Sequence, residues 1–372
     1  AANDFVYTPP DTFQSRSATM VTADVDYEPL TSLATPGSET GNKEVTARSV
    51  TDSEITLPEL IEKDWWGALT EITVVLVIGE LLYKTSEESM EGDFDYEIEG
   101  GAAQYFVKRI VSNESWKLDD NDIGMNWGHA YAGALYHQAF RNYNFNYYES
   151  MLGNFIASGV WEVFAEYKEV VSINDQIVTT FGGSVLGESF FQLAEMLDTK
   201  DGWVPATFAT VFNPSRAIRG WFGYHSPSRF DRQKALDQFD IYTGALYSAK
   251  KAEEISSTSL LMGVEASINS IKGQYDSLAG TPSKVDFDME LGVSADGLED
   301  WQLSSSLFLG GYSQETPPLA GSRDSWGHGW YVGPSMGLEY SSLGQEDEED
   351  FFAAINVIGL SAGAQWHNAG LK

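Results

Sequence analysis

The chain contains no cysteine, which excludes disulfides, thiolate metal centres and cysteine nucleophiles. Positive charge is scarce: 22 lysines and arginines stand against 55 acidic residues, for a net charge of −33 over 372 residues. A surface so acidic repels nucleic acid and anionic headgroups, so nucleic-acid binding is set aside. Two readings of the charge remain, a solvated surface suited to a salty or extracellular medium and dedicated cation capture. Long apolar runs are missing too. The longest apolar helical stretch, residues 68–83, is interrupted by Glu71 and Glu80 and falls short of the roughly 20 residues of a membrane-spanning helix. A membrane location is therefore expected to use strands. Signature motifs are also lacking: no Gly-x-Ser-x-Gly elbow, no HExxH pair, no phosphate loop and no dinucleotide fingerprint.

The chain opens Ala1-Ala2-Asn3-Asp4, small residues followed by polar ones, as a mature N-terminus does after leader cleavage. A chain begun at an arbitrary point looks the same. The expectation is an exported protein. Its length allows two structural units with their own cores. Residues 1–60, rich in Thr, Ser, Asp, Glu and Pro without a sustained period, read as an extended or disordered arm.

From there the pattern turns helical, and residues 61–225 form a helical domain. Residues 128–140 carry Tyr131, Leu135 and Tyr136 at helical spacing. Residues 147–171 read as one helix, with Met151, Phe155, Val160, Phe164 and Tyr167 on a stripe near a period of 3.6. Ser172 caps a third helix over residues 174–197. Gly182, Gly183 and Gly187 inside it each cost about 1 kcal/mol relative to alanine. Close helix packing is the natural reason to carry them. The aromatic run over residues 143–148 has two readings, a core anchor or a membrane-interface belt.

After Gln238 the period changes to two, and residues 238–372 form an antiparallel β region. Val285, Phe287, Met289, Leu291 and Val293 share one face, with Asp286, Asp288, Glu290 and Gly292 on the other. Residues 301–310 and 330–339 alternate likewise, and 239–247, 259–268 and 351–365 are further candidates. Strands of this length, apolar on one face and polar or small on the other, match the outer-membrane-barrel signature. The rival is a soluble curved sheet packed on a second layer. Six strands are too few to close around a helix, since eight leave room only for side chains. The last residues, Gly370-Leu371-Lys372, lack the aromatic end usual in bacterial barrels. The fold expected is α+β: an N-terminal helical bundle followed by strands of outer-membrane-barrel type, with the bundle plugging the mouth or on the periplasmic side.

The chemistry-bearing residues gather in the helical part. Glu162 and Glu166 stand one turn apart, Asp175 starts the next helix, and His129 and His137 lie near one another in azimuth. A metal or general acid–base site would use His129, Glu162, Glu166 and Asp175. A structural polar core would use Arg141, Glu149, Asn174, Glu188 and Arg219, with carboxylates paired to arginine or capping helix ends. Lys168 and Arg216 are further cations. A groove lined by the many aromatics, taking a lipid headgroup or a peptide, is the third reading.

A set of residues carries a family resemblance: Asn126-Trp127-Gly128-His129-Ala130-Tyr131-Ala132-Gly133, Leu135-Tyr136, Arg141, Tyr148-Glu149-Ser150, Trp161-Glu162, Glu166, Ser172-Ile173-Asn174-Asp175, Thr179-Thr180, Gly183, Gly187-Glu188 and Asn213-Pro214. Together they resemble an uncharacterised bacterial envelope family, a domain of unknown function in which such a helical domain precedes a predicted β-barrel region. Its usual His-Pro pair stands here as His129-Ala130. The resemblance implies an envelope location and that fold, and no established reaction or cofactor. Three functions follow as expectations: a non-enzymatic outer-membrane protein binding outer-membrane lipid, a small molecule or an envelope partner protein; an envelope hydrolase or lipid-modifying enzyme using the His/Glu/Asp cluster; or a component of a surface assembly.

Overall fold

The computed structural model describes residues 62–85, 107, 110, 116–118, 123–167, 169–221, 223, 235–250, 255–269, 281–294, 297–316, 326–345 and 348–368. The expected arm over residues 1–60 and the side chain of Lys168 lie outside them. The chain divides into two compact units, one helical and one built of strands, with the boundary between Phe230 and Asp231.

In the helical unit, helix α1 (Trp65–Tyr83) starts on Asp64, whose side chain accepts from the Gly67 N–H at 2.8 Å. The helix begins three residues before the apolar stretch read from sequence. At 19 residues it is long and apolar enough to cross a membrane by length and composition, which corrects the expectation that this segment falls short. Within α1, Ala68 and Ile72 are buried, while Val74, Val77, Leu81 and Leu82 are exposed.

Helix α2 (Ile123–Asn142) ends in a tight turn with Asn144 at φ 75°, and α3 (Tyr147–Val160) follows. Asn146 and Glu149 exchange hydrogen bonds at 3.0 and 2.9 Å, a reciprocal cap on the α3 N-terminus. Helix α3 does not run on to residue 171. It passes into one π turn (Trp161–Ala165), and the chain leaves it to form strand β2 (Val171–Ser172), parallel to β1 (Trp116–Lys117). Ser172 caps α4 (Ile173–Ile177) by accepting from the Asp175 N–H at 3.1 Å. A second π turn (Val178–Gly182) joins α4 to α5 (Gly183–Leu197), and α6 (Trp203–Phe212) and α7 (Pro214–Trp221) complete the unit.

Every residue of α5 is buried, so this helix is the axis of the unit. It meets α2 backbone to backbone: a Cβ on Gly183 would lie 2.5 Å from the Gly133 Cα, and one on Gly133 would lie 2.0 Å from the Thr179 carbonyl oxygen. Against α1, an apolar cluster of Ala68, Ile72, Tyr136, Ala139, Phe140, Phe145 and Ala157 forms. The aromatic run contributes Phe145 and Tyr147 to the interior, with Phe145 edge-on to Trp65 and Phe140. The apolar stripe on α3 and its π turn faces outward. Phe155, Val160 and Phe164 are exposed, while Ser150, Gly153, Asn154, Ala157 and Ser158 face inward.

The second unit is an antiparallel sheet of β3 (Ala235–Lys250), β4 (Ile255–Asn269), β5 (Lys284–Val293), β6 (Leu298–Phe308), β7 (Tyr312–Thr316), β8 (Trp326–Gln345) and β9 (Glu348–Asn368). All six strands read from the alternation are present. The seventh, β7, lies end to end with β6 along β8: β6 pairs with Ser335 onward and β7 with residues 328–332. The break falls at Leu309-Gly310-Gly311, where Gly310 takes φ 127° and a Cβ on Gly311 would collide with the Val332 carbonyl at 2.3 Å. With β6 and β7 taken as one interrupted strand, each strand pairs with its sequence neighbour, an up-and-down meander that ends at β3 and β9. Among the described residues it is not closed into a barrel.

Register puts Ala266, Phe287, Ser305 and Leu338 in one row across four strands, and Val264, Met289, Leu303 and Tyr340 in the next. This apolar face is buried through the middle strands, whereas Phe352, Val357, Ile358 and Leu360 on the β9 edge are exposed. The opposite face lines a hollow of about 650 Å³ with Glu265, Ser267, Asp286, Asp288, Ser304 and Glu339. Across it Tyr242 donates to Glu290 at 2.7 Å and Ser267 to Asp286 at 2.8 Å.

Two glycines on α2 and α5 separate packing from propensity. Gly183→Ala forces a methyl into the Gly133 backbone and is expected to lower stability by about 1–3 kcal/mol. A Cβ at Gly128 meets nothing within 4 Å, so Gly128→Ala should be neutral or stabilising by up to about 1 kcal/mol. Chemical denaturation followed by tryptophan fluorescence distinguishes the two; equal effects would refute the packing account.

Candidate functional site

The residues singled out from sequence divide between two polar clusters on α2. At its C-terminal end, Glu188 of α5 is fully buried and accepts from three side chains. Arg141 reaches it through Nε at 2.8 Å and through a second guanidinium nitrogen at 3.0 Å, His137 Nε2 lies at 3.0 Å, and Gln192 Nε2 donates at 2.7 Å. Arg141 also donates to the Phe145 carbonyl at 2.8 Å and lies 4.5 Å over the Phe191 ring. Burial alone drives the Glu188 carboxyl up, but Arg141 and the His137 and Gln192 hydrogen bonds outweigh it and hold it down to about 2. Burial pushes the His137 imidazole down, against the pull of Glu188. The neighbouring Tyr147 hydroxyl is raised well above its ordinary range by burial and the Glu188 charge. This cluster is closed: every partner of the carboxylate is a fixed protein donor.

The second cluster lies toward the N-terminal end of α2. His129 Nε2 stands 3.5 Å from Asp175 Oδ2. Glu162, on the first π turn, joins them, and one ligand-type atom from each of the three lies within 4.8 Å of the others. Glu162 and Asp175 are buried to 0% and 1% exposure, whereas the His129 side chain keeps 12%. Ser172 links the Glu162 carboxylate to the backbone that carries Asp175, its N–H donating to Glu162 Oε2 at 3.0 Å while its Oγ accepts from the Asp175 N–H. Glu166 does not join them. In the π turn its N–H bonds to the Trp161 carbonyl five residues back, and its carboxylate accepts from Trp161 Nε1 at 2.7 Å. An α-helical period would have put Glu162 and Glu166 on one face; the π turn takes them apart. Both carboxylates still act on the Tyr136 hydroxyl, which burial first and then Glu166 and Glu162 push far above its ordinary range.

His129 and Glu166 also border a cleft of about 380 Å³ between α1, α2 and the first π turn. Its walls are Val75, Ile78, Gly79, Leu82 and Tyr83 from α1, Tyr131, Ala132, Leu135 and Tyr136 from α2, and Trp161. The sequence offered an aromatic-lined groove without placing it; Trp161 beside Glu162 and the apolar α1 were the signals for where this cleft lies. It is lined mainly by hydrocarbon with a histidine and a carboxylate among its residues, the ordinary make-up of a small-molecule site.

The remaining residues of the expected polar core occupy other places. Glu149 caps α3 and pairs with Lys63 at 2.6 Å, half-exposed. Asn174 accepts from the Ser172 hydroxyl at 3.1 Å. Arg219 lies 4.0 Å over the Tyr143 ring and donates to the Asn142 carbonyl at 3.3 Å. Arg216 pairs with Glu195 and Asp198, each at 2.9 Å.

The closed cluster predicts an acid-sensitive helical unit. The folded Glu188 carboxyl titrates below its ordinary 4.5, so the unfolded chain takes up that proton first. Its contribution is complete above about pH 4.5 and is lost as pH falls toward 2. His137, lowered from 6.5, acts in the same direction at higher pH, because only the unfolded imidazole protonates as pH falls through 6.5. Denaturation midpoints between pH 7 and 3 should therefore fall, and the slope below pH 4.5 should be shallower in Glu188→Gln. An unchanged slope in that variant would contradict the assignment.

No curated protein and no solved structure matches the chain. Residues 115–215, the stretch that holds both clusters and most of the cleft, match the family model of the Domain of unknown function (DUF3943).

Proposed function

We propose that this is a bacterial cell-envelope protein of the outer membrane whose helical unit, exposed to the periplasm, binds a lipid or similar amphipathic molecule. The observation that carries this reading is the cleft: its walls from α1 and α2 are mainly apolar, and His129 and Glu166 are among its lining residues. An acyl chain fits the apolar walls, and His129 and Glu166 offer polar contacts to a headgroup. The exposed apolar residues beside it, Leu81 and Leu82 on α1 and Phe155, Ile156 and Phe164 on α3 and its π turn, support contact with lipid. In the second unit the meander, the long strands and the separation of apolar and polar faces support an outer-membrane-barrel type. The buried apolar face of the middle strands favours the rival, a curved sheet covered by a second layer.

A second reading is favoured by one distance. His129 Nε2 stands 3.5 Å from Asp175 Oδ2 beside the cleft; drawn to hydrogen-bond distance when the cleft is filled, the pair would orient a general base, so the bound lipid would be hydrolysed or modified there.

Purified full-length protein should quench or enhance a fluorescent fatty acid with saturation. Ala132→Trp, which fills the cleft from α2, should weaken binding about tenfold or more, while the outward Leu152→Ser should not. Saturable binding untouched by Ala132→Trp would move the ligand elsewhere. Location has its own check. A barrel protein requires detergent and migrates differently after heating before electrophoresis; a protein soluble without detergent and indifferent to heating rules out the membrane-barrel part of the proposal.

A further inference from the structure

We infer that His129, Glu162 and Asp175 form a binding site for a divalent first-row transition-metal ion beside the cleft that His129 lines. Three elements distant in sequence supply the donors: α2 gives the imidazole, the first π turn gives Glu162, and the first turn of α4 gives Asp175. Their donor atoms lie within 4.8 Å of one another. Ligands on a tetrahedral ion at about 2.0–2.2 Å are separated by roughly 3–4 Å, so modest side-chain rotation closes the cluster around one ion.

The donor chemistry selects the ion. One imidazole nitrogen with two carboxylates, and no thiolate anywhere in the chain, suits Zn²⁺, Mn²⁺ or Fe²⁺ over the all-oxygen preference of Ca²⁺ and Mg²⁺. Two carboxylates balance the charge of a divalent cation, with the histidine neutral. The surroundings are those of a prepared site. The Ser172 N–H fixes one Glu162 oxygen at 3.0 Å, and the Ser172 hydroxyl holds the start of α4 on which Asp175 sits. Three protein ligands leave a coordination position open. His129 is the least buried of the three and lines the cleft, so that position faces the cleft and falls to water or to an oxygen of whatever the cleft holds. The inference does not depend on lipid binding, because ion uptake is measured with the cleft empty.

The test is a titration of full-length protein, stripped with chelator, using Co²⁺ read by its visible absorption and Zn²⁺ in competition with a chromophoric chelator. One equivalent should bind, with tetrahedral or five-coordinate cobalt bands. His129→Ala and Asp175→Asn should each weaken binding about tenfold or more, whereas Glu149→Gln, at the far end of α3, should leave it unchanged. His129→Ala alters a partly exposed side chain and keeps the test open if a carboxylate variant fails to fold. No stoichiometric uptake by wild type, uptake of Ca²⁺ alone, or binding insensitive to both substitutions would each overturn the proposal.

Discussion

The helical unit depends on one close approach, the crossing of α2 and α5 at Gly133 and Gly183. With no side chain on either residue the two backbones touch, and that contact sets which residues meet on both sides of it. Toward the C-terminus of α2 it delivers His137 and Arg141 to Glu188. Toward the N-terminus it brings His129 over the start of α4 and Asp175. Gly187 extends the seam, since a Cβ there would lie 2.8 Å from the Ala134 carbonyl. A stripe of small residues that looks like a helix weakness is what places both sets of polar side chains.

Along α3 the unit is polar inside and apolar outside. Asn154 buries its amide against the Thr179 and Thr180 carbonyls at 2.8 and 3.2 Å and the Ser184 hydroxyl at 3.1 Å. Asn142 and Asn213 pair at 3.0 Å beneath the start of α7. Leu152, Phe155, Ile156 and Phe164 meanwhile face outward. These buried hydrogen bonds, strong in a low-dielectric setting and costly when broken, add to the apolar burial around Phe140, Phe145 and the α5 side chains.

That inversion explains what was legible in the sequence. The period of 3.6 located α3, and Ser172 correctly announced the cap of the next helix, because both are local properties of the chain. Periodicity identifies a stripe but not the side it faces. The Met151, Phe155 and Phe164 stripe marks a helix whichever way it faces, and here the small polar stripe of Ser150, Asn154 and Ser158 is the buried one. The π turns were illegible for a related reason: the extra residue in the turn is stabilised by tertiary packing, with no residue type that demands it. Hence Glu162 and Glu166 separate, and His129 and His137, similar in azimuth, reach different carboxylates. In the strands the alternation was sufficient, since period two fixes the face once register is set. The Gly310-Gly311 break was hidden because a strand interrupted by one kink keeps its alternation on either side.

The two clusters differ in what their surroundings allow. Glu188 is saturated by Arg141, His137 and Gln192, all buried, so nothing can exchange there without unfolding the seam. The His129 cluster has its carboxylates fixed and buried but its imidazole at a cleft wall, with a fraction of its surface open. A buried ion pair closed on itself stabilises or specifies a fold; a set of donors with one edge on a cavity can take and release a ligand. The two clusters differ in composition and in access: a carboxylate enclosed by Arg141, His137 and Gln192 in the first, two carboxylates beside an imidazole on a cleft wall in the second.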